Sequence, residues 1–371
     1  MKLQAILGAG AVALTLLGTT ALTLPAFAAS VPDGTKLADD QTFNYRVLDN
    51  INSLDPDIVE DVDTSYVVSN LFEGLYNEDA KGNPVPGAAS SYDVNADNTV
   101  FTFHLRDAVW SNGDPVKASD FVYSWRRAVD PKTASNYSYF PGLVGVKNAD
   151  DIVAGKMPID QLGVKAIDDK TLEVDLNKSV PYFVRSTAHA TLFPIPQAVV
   201  EKFGNDWTKP ENIVGNGAYT LAENKPGERV TLKRNPKYWD DAKTVMNTLN
   251  FLTINDENQG VTRYLSGEVD QTDVPAGQYP SMKQQYPNEA HSVPQLCTYY
   301  FDINMTDKQP VEALKDVRVR EALSMAIDRD VIVNNILQGG QIPAYFFTPP
   351  ATADFKAPDV DMAKMSQADR D

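Results

Sequence analysis

The stretch from residue 88 to 131 restricts the fold of this 371-residue chain most, because it encodes a strand, a turn and a helix in succession. Between residues 99 and 106, Phe101, Phe103 and Leu105 fall on one face and Thr102 and His104 on the other. This period of two predicts a half-buried strand. The sequence Asn-Gly-Asp-Pro at residues 112–115 then predicts a turn, since glycine tolerates positive φ and proline presets a turn.

A helix is predicted directly after this turn, between Ser119 as its N-cap and Pro131 as its stop. Its apolar side chains recur at helical spacing, at Phe121, Val122, Trp125, Ala128 and Val129. An earlier helix, capped by Asp63 or Thr64, is predicted from a second apolar stripe, which comprises Val67, Val68, Leu71, Phe72 and Leu75.

Further strands and helices alternate irregularly along the chain. The β-prone segments lie at residues 43–47, 171–176, 219–221, 229–233, 248–254 and 296–304. Helical patterns lie at residues 197–203, 261–265, 279–286, 316–327 and 329–337. This order predicts an α/β fold with mixed sheets rather than a barrel or a helical bundle.

Length and charge limit the classes of function. A chain of 371 residues can bury a sizeable core, and we expect two or three domains. The formal net charge of −17 argues against nucleic acid as a partner, because a polyanion would be repelled. The same charge either keeps the protein in solution or favours cationic ligands.

Residues 1–28 are predicted to be an export signal. Lys2 supplies a positive start, an apolar run follows at residues 5–24, and Ala26-Phe27-Ala28 has the small-x-small cleavage pattern. A retained membrane anchor is the alternative for this run. We expect cleavage near Ala28 or Ala29 and a periplasmic protein that is not a lipoprotein, because no cysteine lies at the cleavage site.

The sequence carries little sign of catalysis. The three histidines lie far apart without a second ligand at metal spacing, and the one cysteine, Cys297, has no nearby histidine. No phosphate loop, dinucleotide fingerprint or nucleophile elbow is present. We therefore expect a protein without enzymatic activity, metal or cofactor. An exported hydrolase that uses a carboxylate pair is the competing hypothesis.

Two unusual loops combine acidic or aromatic residues. Glu60 and Asp61 indicate either a solvated face or a binding site, and Val62 follows them. The run Thr298-Tyr299-Tyr300 has the pattern of a strand with one tyrosine buried and one exposed. The residues alone leave both readings open.

Several motifs, in order, resemble one protein family. Besides residues 88–131 they include Leu54-Asp55-Pro56, LFEGL at 71–75, NIVGNGAYTL at 212–221, RNPKYW at 234–239, LCTYYFDIN at 296–304 and DVRVREAL at 316–323. In these motifs the chain resembles the family 5 extracellular solute-binding proteins, the peptide-binding subunits of ABC importers. The resemblance covers nearly all of the chain from the end of the leader to about residue 350.

The resemblance implies a fold and a function. The fold is the two-lobed, three-domain α/β fold of the type II-like periplasmic binding proteins. Residues 30–72 and 198–296 are expected to form domain I, residues 73–197 an inserted domain II, and residues 297–371 the start of domain III. The implied function is the capture of short peptides for the membrane permease subunits of an ABC importer by a monomeric protein. Murein-tripeptide binding is the alternative within the family.

The resemblance also implies a binding site. A peptide would pair by its backbone, as an added strand, with the protein. Residues expected beside it are Glu60, Asp61, Val62, Tyr137, Thr298, Tyr299 and Tyr300. Two departures stand out: the sequence ends at Asp371 where family members continue, and Leu337 stands where peptide binders can carry a lysine. The resemblance implies that the missing part holds the disulfide partner of Cys297 and the charged groups that meet both ends of a peptide, so we expect the truncation to impair peptide binding. A chaperone-like fragment without a transport role is a further alternative.

Overall fold

The computed structural model of the protein describes residues 31–352 and 354–370. The predicted leader therefore lies outside the described residues. None of the helices in the described part is long and apolar enough to span a membrane.

Within these ranges the chain forms ten strands. They are β1 (Thr42–Val47), β2 (Tyr76–Glu78), β3 (Pro84–Pro86), β4 (Ala89–Val94), β5 (Val100–Leu105), β6 (Val164–Asp168), β7 (Thr171–Asp175), β8 (Tyr219–Lys225), β9 (Arg229–Arg234) and β10 (Thr248–Thr253).

The longer α-helices are α1 (Val62–Leu71), α2 (Ala118–Val129), α6 (Gln197–Phe203), α7 (Glu257–Leu265), α8 (Tyr279–Gln285) and α9 (Val317–Met325). Short helical turns include α3 (Phe140–Leu143), α4 (Ala149–Val153), α5 (Phe183–Ser186), α10 (Arg329–Val331) and α11 (Gln367–Arg370). A π-helical turn, Ile332–Leu337, continues α10.

The strands build two four-stranded sheets and one small hairpin. The first sheet has the order β1-β10-β9-β8, with β1 parallel to β10 and the other pairs antiparallel. The second sheet has the order β4-β5-β7-β6 and is antiparallel throughout. Strands β2 and β3 pair between the segments that form the two sheets. The predicted mixed α/β fold is thus confirmed.

The 88–131 stretch forms the centre of the second sheet and the helix that covers it. Phe101, Phe103 and Leu105 are buried, as their alternation predicted. Helix α2 packs on β6 and β7. Trp125 is fully buried, and its indole N–H donates to the Leu192 carbonyl over 2.9 Å.

Both predicted helix caps were wrong, by two or three residues at α1 and by two residues at α2. Helix α1 begins after Asp61, whose carboxylate accepts from the Thr64 N–H over 2.8 Å. Helix α2 begins after Lys117 rather than Ser119, because the Asp120 carboxylate reaches back to the Lys117 N–H over 2.9 Å. In each case an acidic side chain satisfies an N–H group that the helix leaves unpaired.

The loop at residues 212–218, which leads into β8, contacts the end of α1. The Asn216 side chain donates to the Glu73 carbonyl and accepts from the Glu73 N–H, both over 3.0 Å. A Cβ atom at Gly215 would lie 2.0 Å from the Leu71 oxygen, and one at Gly217 would lie 2.6 Å from the Asn70 oxygen. The two glycines are therefore required by this close backbone contact.

Strands β1 and β8–β10 lie on either side of the second sheet in sequence but join in the first sheet. The division of the chain into three domains stays a prediction. The segment 296–304, predicted as β-prone, is not a strand, and the described residues from 272 to 370 contain no other strand that could pair with it.

Candidate ligand-binding site

The segment from Asp55 to Val62 forms one wall of the candidate site. The Asp55 carbonyl accepts from the N–H groups of Ile58 and Val59 over 3.0 and 3.1 Å, which closes a turn. The chain then extends through Asp61, with φ −107° and ψ 157°, before α1 begins at Val62. The Val62 side chain is 65% exposed.

The main chain of Glu60 is open for pairing. Among the described residues no group forms a hydrogen bond with the N–H or C=O of Glu60. Its carboxylate accepts a hydrogen bond from the side-chain amide of Asn136. This contact brings the wall next to the residue that precedes Tyr137.

Tyr137 belongs to an aromatic group on this second element of the site. Its ring centroid lies 5.0 Å from that of His189 and 5.7 Å from that of Tyr139. The His189 ring stacks on Phe140 at 4.1 Å, and burial lowers the pKa of His189 to about 4. His189 is therefore neutral at physiological pH, and this side of the site is aromatic and uncharged.

The third predicted group lies apart from these two. Thr298 donates to the Phe347 carbonyl over 2.6 Å, and the Tyr300 ring lies 5.1 Å from the Phe347 ring. Tyr299 is 90% exposed, and Cys297 is an exposed free thiol. Within the described ranges no hydrogen bond, ion pair or ring contact links Thr298, Tyr299 or Tyr300 to the residues around Glu60 or Tyr137.

A buried ionic cluster behind the wall was not predicted. Arg127 on α2 contacts both oxygens of Asp55, over 2.6 and 3.0 Å, and Oδ2 of Asp57 over 2.6 Å. Both carboxylates are buried. The Trp207 indole N–H donates to Asp55 over 3.2 Å, and Ser124 lies beside Asp57. We name these five residues the Asp55–Arg127 cluster.

A second buried carboxylate, Glu73, lies two residues after the end of α1. It accepts from the Tyr238 hydroxyl over 2.8 Å, the Trp239 indole over 2.7 Å and the Asn77 amide over 3.2 Å. The Arg106 guanidinium stacks 3.4 Å from the Trp239 ring centre. Burial outweighs these hydrogen bonds and raises the pKa of Glu73 to about 7.

One sequence signal could have indicated both the Asp55–Arg127 cluster and the buried Glu73. Asp55 and Asp57 stand on either side of a proline next to Leu54, and Glu73 follows Leu71 and Phe72. An acidic residue inside an apolar run is buried with the run, and it then needs donors from elsewhere in the chain. The sequence does not reveal which residues supply those donors.

The described residues contain no group of three or more histidine, cysteine, aspartate or glutamate side chains that could hold a metal ion. What the arrangement offers is an exposed extended backbone, an acidic side chain and an aromatic surface. These are the elements of a site that binds a ligand through its main chain.

Comparison with known proteins identifies the family. The sequence profile described as "Bacterial extracellular solute-binding proteins, family 5 Middle" matches residues 83–368. The chain belongs to this family. The resemblance seen in the sequence motifs is thereby confirmed.

The chain is similar to named members of family 5. It is 48% identical over 348 residues to the periplasmic oligopeptide-binding protein OppA of Salmonella typhimurium, covering 93% of this chain and 63% of OppA. It is 45% identical over 343 residues to the periplasmic murein peptide-binding protein MppA of Escherichia coli, covering 92% of this chain and 63% of MppA. The chain thus spans less than two thirds of the length of these relatives.

A solved structure of the Escherichia coli murein tripeptide binding protein MppA has the same fold. It matches with a TM-score of 0.86 at 43% identity, over 91% of this chain and 65% of that one. The family 5 relatives are named as binding proteins rather than enzymes, and the two named here are periplasmic.

Proposed function

We propose that the protein is a periplasmic substrate-binding protein that captures short peptides for an ABC-type importer and passes them to its membrane permease subunits. Family membership supports the class of function. The observation that supports peptides is the backbone at Glu60, next to the extended Asp61, because the N–H and C=O of Glu60 have no partner among the described residues. A peptide main chain can pair with such a segment whatever its side chains are.

The contacts around this segment support roles for the predicted residues. Glu60 and Asn136 join the wall to the aromatic group, so that a peptide on the wall would lie against Tyr137. The Asp61 carboxylate caps α1, so we propose that Asp61 contacts the peptide through its backbone rather than through its carboxylate. We propose that Thr298, Tyr299 and Tyr300 face the ligand from the other lobe, in the domain that starts at Cys297.

Isothermal titration with pools of tri- to pentapeptides tests this function. We expect binding that Tyr137→Ala weakens about tenfold, which corresponds to about 1.4 kcal/mol. Tyr264→Ala is the matched control, because Tyr264 bonds Glu289 away from the site. Equal affinity in all three proteins would remove Tyr137 from the site, and absence of any peptide binding would contradict the function of this chain.

Murein tripeptide is a second candidate ligand, and the 45% identity to MppA favours it. Competition between a murein tripeptide and trialanine in the same titration separates the two. Preference for the first by tenfold or more assigns the recycling function, whereas similar affinities assign general peptide capture. A chain that suppresses aggregation of a denatured protein but binds neither ligand would instead have a chaperone-like role.

The proposed compartment is the periplasm, with the leader removed near Ala28 or Ala29. Expression of the whole chain in a two-membrane bacterium, followed by osmotic shock, should release a shortened protein. Mass spectrometry of its N-terminus gives the cleavage site. Recovery of the full-length protein in carbonate-washed membranes would support the retained anchor.

A further inference from the structure

The Ser124 hydroxyl of the Asp55–Arg127 cluster lies beside two oxygen atoms but has only one hydrogen to donate. The Ser124 oxygen lies 2.6 Å from the Phe193 carbonyl oxygen and 3.2 Å from Oδ1 of Asp57. A hydroxyl has a single hydrogen, and a carbonyl oxygen can only accept. Ser124 therefore donates its hydrogen over the shorter distance, to the Phe193 carbonyl. If Asp57 were ionised, its Oδ1 and the Ser124 oxygen would face each other without a hydrogen between them.

The net charge of the Asp55–Arg127 cluster also indicates one added proton. The charged and titratable groups that face Asp57 are Asp55 on its own segment and Arg127 and Tyr123 on α2, with Glu201 of α6 beyond Tyr123. Two ionised carboxylates around one guanidinium leave a net negative charge in a buried site, which is costly. One added proton makes the site neutral.

Asp57 is the carboxyl that suits this proton. Asp55 binds Arg127 through both oxygens and also accepts from Trp207, so none of its oxygens is free to carry a hydrogen. Asp57 gives only Oδ2 to Arg127 and leaves Oδ1 directed at Ser124. Burial, and then the charge of Asp55, raise the pKa of Asp57, which agrees with this assignment.

We propose that Asp57 is a neutral carboxylic acid that donates its hydrogen to Ser124, and that this proton positions the Glu60–Val62 wall of the binding site. The regulatory part of this inference rests on the proposed peptide-binding function. Asp57 is a positioning residue, since it lies behind the wall and acts through the turn that Asp55 closes.

The path from the proton to the wall is short. The Asp57 N–H donates to Oδ1 of Asp55 over 3.1 Å, and the Asp55 carbonyl holds the N–H groups of Ile58 and Val59. Loss of the proton places a second negative charge beside Asp55 and turns the Ser124 contact into a repulsion. We expect the turn at residues 55–59 to open more often, and the wall that follows it to lose its fixed direction.

The first experiment observes the proton itself. The whole chain is labelled with aspartate carrying ¹³C at the carboxyl carbon, and its carboxyl signals are followed by NMR from pH 4.5 to 8.5. Asp57→Asn identifies the Asp57 signal by its disappearance. We expect that signal to titrate well above the usual aspartate range. A signal that already shows an ionised Asp57 throughout this pH range overturns the proposal.

The second experiment measures amide hydrogen exchange at Ile58 and Val59, corrected for the intrinsic effect of pH. Between the usual aspartate pKa and the raised pKa of Asp57, opening releases one proton, so we expect exchange to rise about tenfold per pH unit in this range and to level off above the Asp57 titration. Asp57→Asn, whose amide can donate to Ser124, should abolish this dependence. Glu73→Gln changes another buried carboxylate and is the matched control that should keep it. The same profile in all three proteins contradicts the positioning role.

Peptide affinity provides the functional readout. In a chain that binds peptides, affinity should fall as pH rises through the Asp57 titration, and Asp57→Asn should flatten the profile while it retains the affinity seen at low pH. A pH profile that Asp57→Asn leaves unchanged overturns the regulatory part. Absence of peptide binding at every pH counts against the proposed function alone, because the NMR and exchange experiments need no ligand.

Discussion

Two regions of the molecule contain the same kind of sequence and fold differently. In the packed region, residues 42–271, the alternating run of β5 lies between β4 and β7, and Phe103 is fully buried. In the C-terminal region, residues 291–370, the run around Tyr299 and Phe301 is also aromatic and β-prone. It is not a strand, and Phe301 is 78% exposed.

The difference shows that a β-prone, aromatic sequence does not by itself make a strand. A strand needs neighbours for its N–H and C=O groups, and β5 has one on each edge. The described residues of the C-terminal region include no strand, and only Val333 and Arg370 among them are buried. We therefore expect stability to come almost entirely from the packed region.

The sharpest test of this comparison replaces one phenylalanine in each region. Phe103→Ala should lower the free energy of unfolding by about 3–5 kcal/mol, because it removes a fully buried ring and leaves a cavity. Phe301→Ala should change it by less than about 0.5 kcal/mol. Urea unfolding followed by tryptophan fluorescence measures both. Equal effects would show that the C-terminal region has a core of its own.

The pH dependence of stability should also come from the packed region. The pKa of Glu73 is raised to about 7 from a usual 4.5, so folding binds a proton between these values. The resulting stabilisation is complete below pH 4.5 and is lost as pH rises through about 7. Unfolding free energy should therefore be higher at pH 5.5 than at pH 8.5.

Glu73→Gln should reduce this difference by roughly 1–3 kcal/mol, because the amide cannot ionise in the buried site. Glu312→Gln is the control from the C-terminal region, since Glu312 is exposed. Denaturation curves at the two pH values give the result. The part of the pH difference that remains in Glu73→Gln is expected to come from Asp57, so only an undiminished difference would contradict a buried proton on Glu73.

Helix caps provide a smaller contrast between the regions. Asp61 caps α1 and Asp316 caps α9 by the same kind of hydrogen bond, to Thr64 and Arg318 respectively. Asp61→Ala should cost about 1 kcal/mol in global unfolding, whereas Asp316→Ala should leave the main transition unchanged. Circular dichroism during urea unfolding compares the two. A loss of similar size in both variants would mean that α9 unfolds together with the sheets.

The smallest effect is expected at Cys297, an exposed free thiol in the C-terminal region. Cys297→Ser should shift the unfolding midpoint by no more than the experimental error, within about 0.5 kcal/mol. A thiol reagent should label Cys297 in the native protein as fast as in urea. Slow labelling without denaturant would show that this segment is covered in solution.

Sequence reasoning predicted the fold best where a pattern is local. The strand at Phe101 and Phe103, the helix around Trp125 and the helix at residues 197–203 all follow from side-chain period or backbone preference, and the structure contains them. Caps were misplaced because several acidic or hydroxyl residues stand near each helix start. The geometry of one hydrogen bond, such as that from Thr64 to Asp61, selects among them.

The site was predicted through resemblance, and its physical connections were not. That Glu60 meets Asn136, or that Arg127 joins two aspartates some seventy positions earlier, depends on tertiary packing that no spacing rule encodes. The β-prone prediction at 296–304 failed because that segment has no partner strand in the part of the chain that the structure describes. Local patterns therefore give elements, and contacts between distant segments give the site.

The parallel pairing of β1 with β10 also sets the order in which the chain can fold. Asn44 and Asn250, 206 residues apart, are bonded across this pair, whereas β4 and β5 are adjacent in the chain and can join early. Closing so long a loop is slow, and β1 has no partner strand until the chain has been synthesised through Thr253. During synthesis the first sheet therefore stays incomplete until β10 is available. If the predicted export signal directs this chain through a membrane pore, such a delay would let it cross before it folds.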